Sequence, residues 1–211
     1  MNDLFADQAE KKQSIDVGVT LLKGYADTDL FTTLIHNILS VSPLRHMGTT
    51  MGHNMRVTTS NCGEYGGNSD INGYRYLAKD PLTHQSWPDM PDAFYKLAVS
   101  AAEQAGILNF SPDSCLINHY PIGVQMGSHQ DKEELDFSWP IVSVSIGLSA
   151  IFQIFGQTRS GVEREIQLDH GDVLILSGPA RLYYHGVKAI KPDKLQPNLT
   201  ERFNLTFRTA R

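Results

Sequence analysis

The second half of the chain is a succession of short strand-like runs, and this limits the fold more than any other feature. Such runs occupy 114–120, 141–148, 151–155, 165–168, 173–176, 182–187 and 202–208, with turn-forming residues between them. Two segments with helical periodicity come before them. Asp27 reads as the N-cap of a helix whose buried stripe is Leu30, Phe31, Leu34, Ile35 and Ile38, ended by Ser42-Pro43. A second helix is expected over about 92–105, with Phe94, Leu97, Ala98, Ala101 and Ala105 inward and Gly106 as its stop. Two helices followed by many short strands predict an α+β chain whose β part is a sandwich or jelly roll, with the helices backing one sheet.

The rest of the first half is less regular. Residues 1–13 are polar and read as a loose arm, and Val17, Val19 and Leu21 alternate as a strand ending at Gly24. From 45 to 91 the patterning is poor. Strand-like pieces at 55–59 and 74–77 flank a glycine-rich turn, Cys62-Gly63-Glu64-Tyr65-Gly66-Gly67-Asn68, and a proline-bounded loop spans 80–91. Long irregular segments inside a compact domain are commonly functional. With Tyr65, Tyr74, Tyr76 and Trp87 in it, this segment reads as an N-terminal substrate lid; the competing reading is a hairpin packed onto the core by the same rings.

At 211 residues the chain is long enough for one domain, taken here as 1–211 with the lid at about 45–91 and the jelly-roll core at about 114–211. A net charge of -5 argues against a globally basic nucleic-acid coat but not against a local basic groove. Two cysteines, Cys62 and Cys115, are too few for a disulfide framework and suggest a reducing compartment. The polar, acidic start lacks a secretion pattern, and no apolar run approaches a membrane span. A cytoplasmic monomer without membrane contact is expected.

Two His-x-Asp triplets stand in the chain: His129-Gln130-Asp131 and His170-Gly171-Asp172. Residues two apart on a strand share a face, so such a pair can present an imidazole and a carboxylate to one point. With a second histidine from elsewhere, the set is the facial triad of non-haem Fe(II) enzymes. The copy at 170 stands before the apolar run 173–176 and reads instead as a tight turn, with Asp172 bonding backbone amides. In the last run, Phe203, Leu205 and Phe207 share one face; Arg202, Asn204, Thr206 and Arg208 share the other. The arginine face points either to solvent or into the barrel mouth. If inward, the two guanidinium groups need partners, and a ligand with two carboxylates would supply them. Asn118 and Tyr120 share one face of the run at 114–120, where they could reach the same ligand; His119 falls on the opposite face.

Several of these stretches together resemble the AlkB family, closest to its bacterial members. They are His129-Gln130-Asp131-Lys132, the run from Pro140 to Leu148, His170-Gly171-Asp172-Val173, Tyr184-His185-Gly186 and the run from Arg202 to Arg208. The opening Asp3-Leu4-Phe5-Ala6-Asp7 and Asn61-Cys62-Gly63 fit as well. The family consists of Fe(II)- and 2-oxoglutarate-dependent dioxygenases that remove alkyl lesions from nucleic-acid bases. The resemblance implies a double-stranded β-helix with His129, Asp131 and His185 as catalytic iron ligands. It implies Arg202 and Tyr120 on the distal carboxylate of 2-oxoglutarate, with Asn118, Asn204 and Arg208 also lining that site. It further implies Met55, Tyr74 and Tyr76 beside the flipped base and its flanking phosphates, Glu133 facing the base and Arg159 at the pocket rim. The expected substrate is alkylated DNA carrying lesions such as 1-methyladenine and 3-methylcytosine; the alternative is an oxygenase acting on RNA or on a substrate other than nucleic acid.

One position departs from the family. Where close bacterial relatives carry a tryptophan after Cys-Gly-x-x-Gly, stacking on the base, this chain has Gly67. Tyr65 is the nearest ring in sequence that could take its place, and a tryptophan at 67 is expected to stack on the base if the backbone there has negative φ.

Overall fold

A computed structural model describes residues 11–211. The opening motif at 3–7 and most of the expected arm lie outside the described residues. The last two arm positions instead open a strand, β1 (Lys12–Asp16), which turns at Val17-Gly18 into β2 (Val19–Leu22). The single strand expected from Val17 is thus the second arm of a hairpin, with Val17 exposed at its turn.

Helix α1 (Thr28–Val41) starts where Asp27 accepts a hydrogen bond from the Leu30 amide, and it closes at Ser42. Its buried stripe is Phe31, Ile35 and Ile38, narrower than expected. Leu34 is half-buried and Leu30 is exposed, because Leu30 lies about 100° around the axis from Phe31 and off the stripe. Helix α2 (Asp92–Gln104) buries Phe94, Ala98, Ala101 and Ala102, and Gly106 leaves it at φ +84°.

The segment from 45 to 91 is far more regular than its sequence suggests. It holds β3 (Arg45–Gly48), β4 (Asn54–Gly63), β5 (Gly66–Asp70) and β6 (Gly73–Leu77). β4 pairs with the next strand, β7 (Ser114–Pro121), and so belongs to the main sheet. Its alternation is hidden because Thr59, Ser60, Asn61 and Cys62 are all buried: polar residues are held inside by hydrogen bonds rather than placed outside. The remaining strands are β8 (Met126–His129), not anticipated from the sequence, then β9 (Ile141–Gly147), β10 (Ala150–Gly156), β11 (Arg164–Leu168), β12 (Val173–Leu176), β13 (Tyr184–Val187) and β14 (Glu201–Arg208).

These strands form an eight-stranded sheet, β1-β2-β12-β9-β14-β7-β4-β3, opposed by a four-stranded sheet, β11-β10-β13-β8; β5 and β6 form a separate ribbon. All pairings within the three sheets are antiparallel. Phe203, Leu205 and Phe207 of β14, with Ile117, Val142, Val144 and Ile175, face the helices and pack on Phe31, Ile35 and Phe94. Leu174, Leu176 and Ile141 face the smaller sheet and meet Phe152, Ile154 and Ile166. The chain is therefore the α+β double-stranded β-helix expected, with helices backing one sheet. Among the described residues no helix is long and apolar enough to cross a membrane.

The second His-x-Asp triplet is a structural turn. Gly171 has φ +86°, and Asp172, 1% exposed, accepts hydrogen bonds from the amides of Gly24 and Asp169. Lys23 bridges Asp172 and Asp169, and His170 Nδ1 accepts from the Gly147 amide. Asp172→Ala leaves two amides unpaired and Lys23 with Asp169 as its remaining carboxylate, and is expected to cost about 2–3 kcal/mol of stability. Denaturant unfolding checks this; a change under about 0.5 kcal/mol would show that water replaces the carboxylate.

Candidate active site

β13 and β8 are neighbours, and their register sets His185 directly opposite His129. The imidazoles therefore leave the sheet on the same side, with ring centroids 4.5 Å apart. His129 ends β8 and Asp131 lies just beyond it, so the pair is a strand end plus a loop residue rather than two strand positions as the sequence suggested. Asp131 still returns to the imidazoles: Oδ1 is 3.9 Å from His129 Nε2 and Oδ2 is 3.7 Å from His185 Nε2. One ligand atom from each residue lies within 4.8 Å of the other two.

The tautomers follow from the backbone. His129 Nδ1 is 2.9 Å from the Gly127 carbonyl, and His185 Nδ1 is 3.0 Å from that of Tyr183. A carbonyl oxygen only accepts, so each Nδ1 carries the proton and each Nε2 presents a lone pair toward Asp131. Phe152 stacks on the His185 ring at 5.4 Å and fixes its plane. Burial, reinforced by the neighbouring imidazole and against the pull of Asp131, holds His185 neutral with a pKa of about 4. Two imidazoles and one carboxylate, gathered on one side, fit a divalent iron with positions left open.

Behind Asp131 lies a buried ionic network. Burial alone would raise the Asp131 pKa; the Arg208 guanidinium, 2.6 Å from Oδ2, and the two imidazoles outweigh it and hold the carboxyl well below the usual range. Arg208 also pairs with Glu134 at 3.2 Å, and Glu134 accepts from the Tyr76 hydroxyl at 2.6 Å and pairs with Arg181 at 2.9 Å. Glu134 and Arg181 did not stand out in the sequence. Glu134 stands three places past Asp131, which was a signal; Arg181 carried none.

The trio opens into a cavity of about 250 Å³ between the two sheets. Its walls include Asn118 and Tyr120 from β7, Ser143 from β9, and Asn204, Thr206 and Arg208 from β14, so the arginine-bearing face of β14 points inward. Arg202, 1% exposed, lies behind this wall and donates to the Leu148 carbonyl and to Ser145 Oγ. Burial pushes its pKa down to about 10 and that of the Tyr120 phenol up to about 12. Arg202 Nε and Arg208 Nη1 have no hydrogen-bond acceptor among the described residues, whereas Arg208 Nε is held by Glu134 at 3.2 Å. Buried donors left over in this way fit an anionic ligand. Asn204 is already committed, donating to Ser143 Oγ and the Val144 carbonyl and accepting from Thr206. His119, on the outer face, is satisfied by Thr58 and Glu201.

Of the residues associated with a base, Met55, Tyr74 and Glu133 line the cavity. Tyr76 does not; it is buried and turned to Glu134. Arg159 is exposed between β10 and β11, with its guanidinium 5.9 Å from the Tyr184 ring. At Gly67 the φ angle is not positive, so backbone conformation does not exclude a side chain. Space does: a Cβ there would overlap the Tyr74 hydroxyl and stand 2.6 Å from the ring carbon bearing it. Tyr74, not Tyr65, covers this glycine, with its hydroxyl buried and unpaired. On the other face of β5 the Trp87 indole lies equally close over Gly66, and Asn61 holds Gly67 in place through both backbone groups.

Comparison with known proteins agrees with this geometry. The family described as the 2OG-Fe(II) oxygenase superfamily matches residues 18–208. The chain is 41% identical over 212 residues to the alpha-ketoglutarate-dependent dioxygenase AlkB of Escherichia coli (strain K12), covering 100% of this chain and 98% of that protein. It is 42% identical over 213 residues to the protein of the same name from Salmonella typhimurium, with the same coverage. Among solved structures, OsALKBH1 superposes with a TM-score of 0.79 at 28% identity, covering 94% of this chain and 99% of that one.

The contact over Gly67 gives a direct test. Gly67→Ala must displace the Tyr74 phenol and is expected to cost about 1–3 kcal/mol of stability. In a Tyr74→Ala background the same substitution should cost almost nothing. A double-mutant cycle by denaturant unfolding reads the difference, and additive effects would show that Tyr74 does not rest on Gly67.

Proposed function

Because the chain belongs to the 2OG-Fe(II) oxygenase superfamily, and within it to the AlkB dioxygenases, we propose that His129, Asp131 and His185 hold its Fe(II) and that it removes alkyl groups oxidatively from nucleic-acid bases. Its cofactors are those of the family, Fe(II) and 2-oxoglutarate. The observation that carries the site assignment is the pair of Nδ1–carbonyl bonds that turns both Nε2 lone pairs toward Asp131.

When bound, Fe(II) couples oxidation of 2-oxoglutarate by dioxygen, giving succinate and carbon dioxide, to hydroxylation of an N-methyl group. The N-hydroxymethyl base then releases formaldehyde as its carbon–nitrogen bond breaks, which returns the electron pair to the base nitrogen and the hydroxyl proton to solvent. The residues of the chain set up this reaction. His185 stays neutral, both imidazoles are oriented by their Nδ1–carbonyl bonds, and Asp131 stays ionised beside Arg208. Arg202 and Tyr120 take the distal carboxylate of the 2-oxo acid, while Asn118, Asn204 and Arg208 line its binding site. Met55, Tyr74 and Glu133 face the space left for the base, Tyr76 backs Glu134, and Arg159 serves the rim. The apolar walls Ile141, Phe152, Leu176 and Val187 keep water from the reacting carbon.

The favoured substrate is alkylated DNA with lesions of the 1-methyladenine and 3-methylcytosine type, which places the protein in DNA alkylation repair. Such lesions block the pairing edge and so lower the cost of extruding the base. The ribbon β5–β6, with the neighbouring β3–β4 turn, serves as the nucleotide-recognition lid. The protein acts as a cytoplasmic monomer without membrane contact.

With Fe(II), 2-oxoglutarate and oxygen, an oligonucleotide carrying 1-methyladenine should yield formaldehyde matched to the succinate it adds, with DNA and RNA as parallel arms. His129→Ala, Asp131→Ala and His185→Ala should each abolish both products, whereas His170→Ala keeps them. Succinate without formaldehyde on either nucleic acid would turn the assignment to another substrate. Arg202→Ala, which removes a charged hydrogen-bond donor worth about 1.5–3 kcal/mol, should raise the 2-oxoglutarate requirement by about 10–100-fold, and lysine should restore little of it for lack of the planar fork. An unchanged requirement would separate Arg202 from the co-substrate.

A further inference from the structure

Asp131 sits at the start of a stretch that makes no sheet pairing until β9 begins at Ile141. The histidines are held by the ladder between β8 and β13; the third member of the trio has no such support. The C-terminal residues touch its middle, where Arg211 donates to the Glu133 carbonyl and the Leu135 amide to that of Ala210, and both of its ends are held by Arg181, on the short 3₁₀ turn Gly178–Leu182 that leads into β13 and His185. The Arg181 side chain is 2% exposed. Its Nη1 donates to the carbonyl of Asp131 itself at 2.8 Å, its Nε to the carbonyl of Trp139 at 3.1 Å, and its Nη2 pairs with Glu134 Oε2 at 2.9 Å. The guanidinium also lies 5.4 Å from the centre of the Phe137 ring. Every one of these partners belongs to the segment 131–139. One planar group thus grips both ends of that segment and its middle, which a lysine ammonium on a flexible stem does not reproduce.

The grip has a direction. Arg181 holds Asp131 by its backbone and Glu134 by its carboxylate, while Arg208 holds the same two residues by their side chains. Together the arginines fix both ends of the Asp131 residue, so the carboxylate cannot swing from the imidazoles. Gln130 adds a second tie between the same segments, donating to the Leu182 carbonyl at 2.7 Å. We infer that Arg181 is a positioning residue that locks the loop bearing Asp131 to the turn preceding His185, and so sets the affinity of the trio for a divalent metal. This rests on the proposed reading of His129, Asp131 and His185 as the metal site.

The test is metal binding by the full chain, read without turnover. Mn(II), as a divalent probe, is titrated calorimetrically into oxygen-free protein, and thermal unfolding without metal reports whether each variant is folded. Arg181→Ala is expected to weaken Mn(II) binding by about 10–100-fold, the range seen when groups supporting metal ligands are removed. Arg181→Lys should recover only part of this loss. Asp172→Ala, destabilised at a turn away from segment 131–139, should bind Mn(II) as the unaltered protein does, which separates positioning from general stability. If Arg181→Ala does not fold, Arg181→Lys decides: affinity reduced about 10-fold supports the inference, and unchanged affinity overturns it. Unchanged affinity in a folded Arg181→Ala overturns it too. If His129→Ala also binds Mn(II) undiminished, the metal-site reading itself fails, and the inference fails with it.

Discussion

The constraint on which the molecule depends is the burial of β14 on both faces. A strand in the middle of an eight-stranded sheet, with helices on one side and a second sheet on the other, has no solvent face. Its apolar side is ordinary core. Its other side carries Arg202, Asn204, Thr206 and Arg208, and buried charge and amide groups are costly unless partnered. The neighbouring strand β9 answers two of them, Ser145 meeting Arg202 and Ser143 meeting Asn204, and the loop after β8 answers a third, Asp131 with Glu134 meeting Arg208. The polar lining of the cavity follows from where these side chains must be paired.

Charge shows which arginine is left with work for a ligand. Asp131 and Glu134 balance Arg208 and Arg181, so that cluster is neutral by itself. Arg202 is different: it donates to a carbonyl and to a hydroxyl, both uncharged. On the proposed reading, Fe(II) and the 2-oxoglutarate dianion together add no net charge, and the far carboxylate falls to Arg202. The same arithmetic separates the roles of the two arginines expected on the co-substrate. Arg208 is tied to the metal's carboxylate before any ligand arrives, so substituting it disturbs metal and co-substrate together, whereas Arg202 bears on the co-substrate alone.

The core was legible because its periodicity was clean. β14 alternates without interruption and its apolar face fell where expected, and Phe31, Ile35, Ile38, Phe94, Ala98 and Ala101 repeat at helical spacing. Three features were hidden for identifiable reasons. β4 buries polar residues in succession, so its period of two disappears. β8 is four residues long and includes Gly127, too short to register as a run. Leu30 matched the helical stripe in type but not in angle. In the site, the strand rule for residues two apart brought His129 and Asp131 to notice although Asp131 lies beyond the strand, and the two side chains still converge, with Asp131 Oδ1 3.9 Å from His129 Nε2. Arg181 was beyond reach of any motif, since its role comes from three acceptors brought to it by folding.

The base side of the cavity is governed by a weaker structure. The scaffold around iron is built from the two opposed sheets, whereas β5 and β6 form a two-stranded ribbon, a unit that is marginal without support. Its support is aromatic and local: Trp87 over Gly66, Tyr74 over Gly67, Tyr76 against Tyr74 and onto Glu134, with Asn61 and the Asp70–Arg75 pair at either end. Gly67 therefore does not leave an empty place in the ribbon. It gives Tyr74 a seat, and a tryptophan introduced there would compete with that ring instead of adding to it. Tyr76 joins this ribbon through Glu134 to the same arginines that bond to Asp131, so the ribbon proposed to meet the base and the trio proposed to hold the metal share one buried carboxylate.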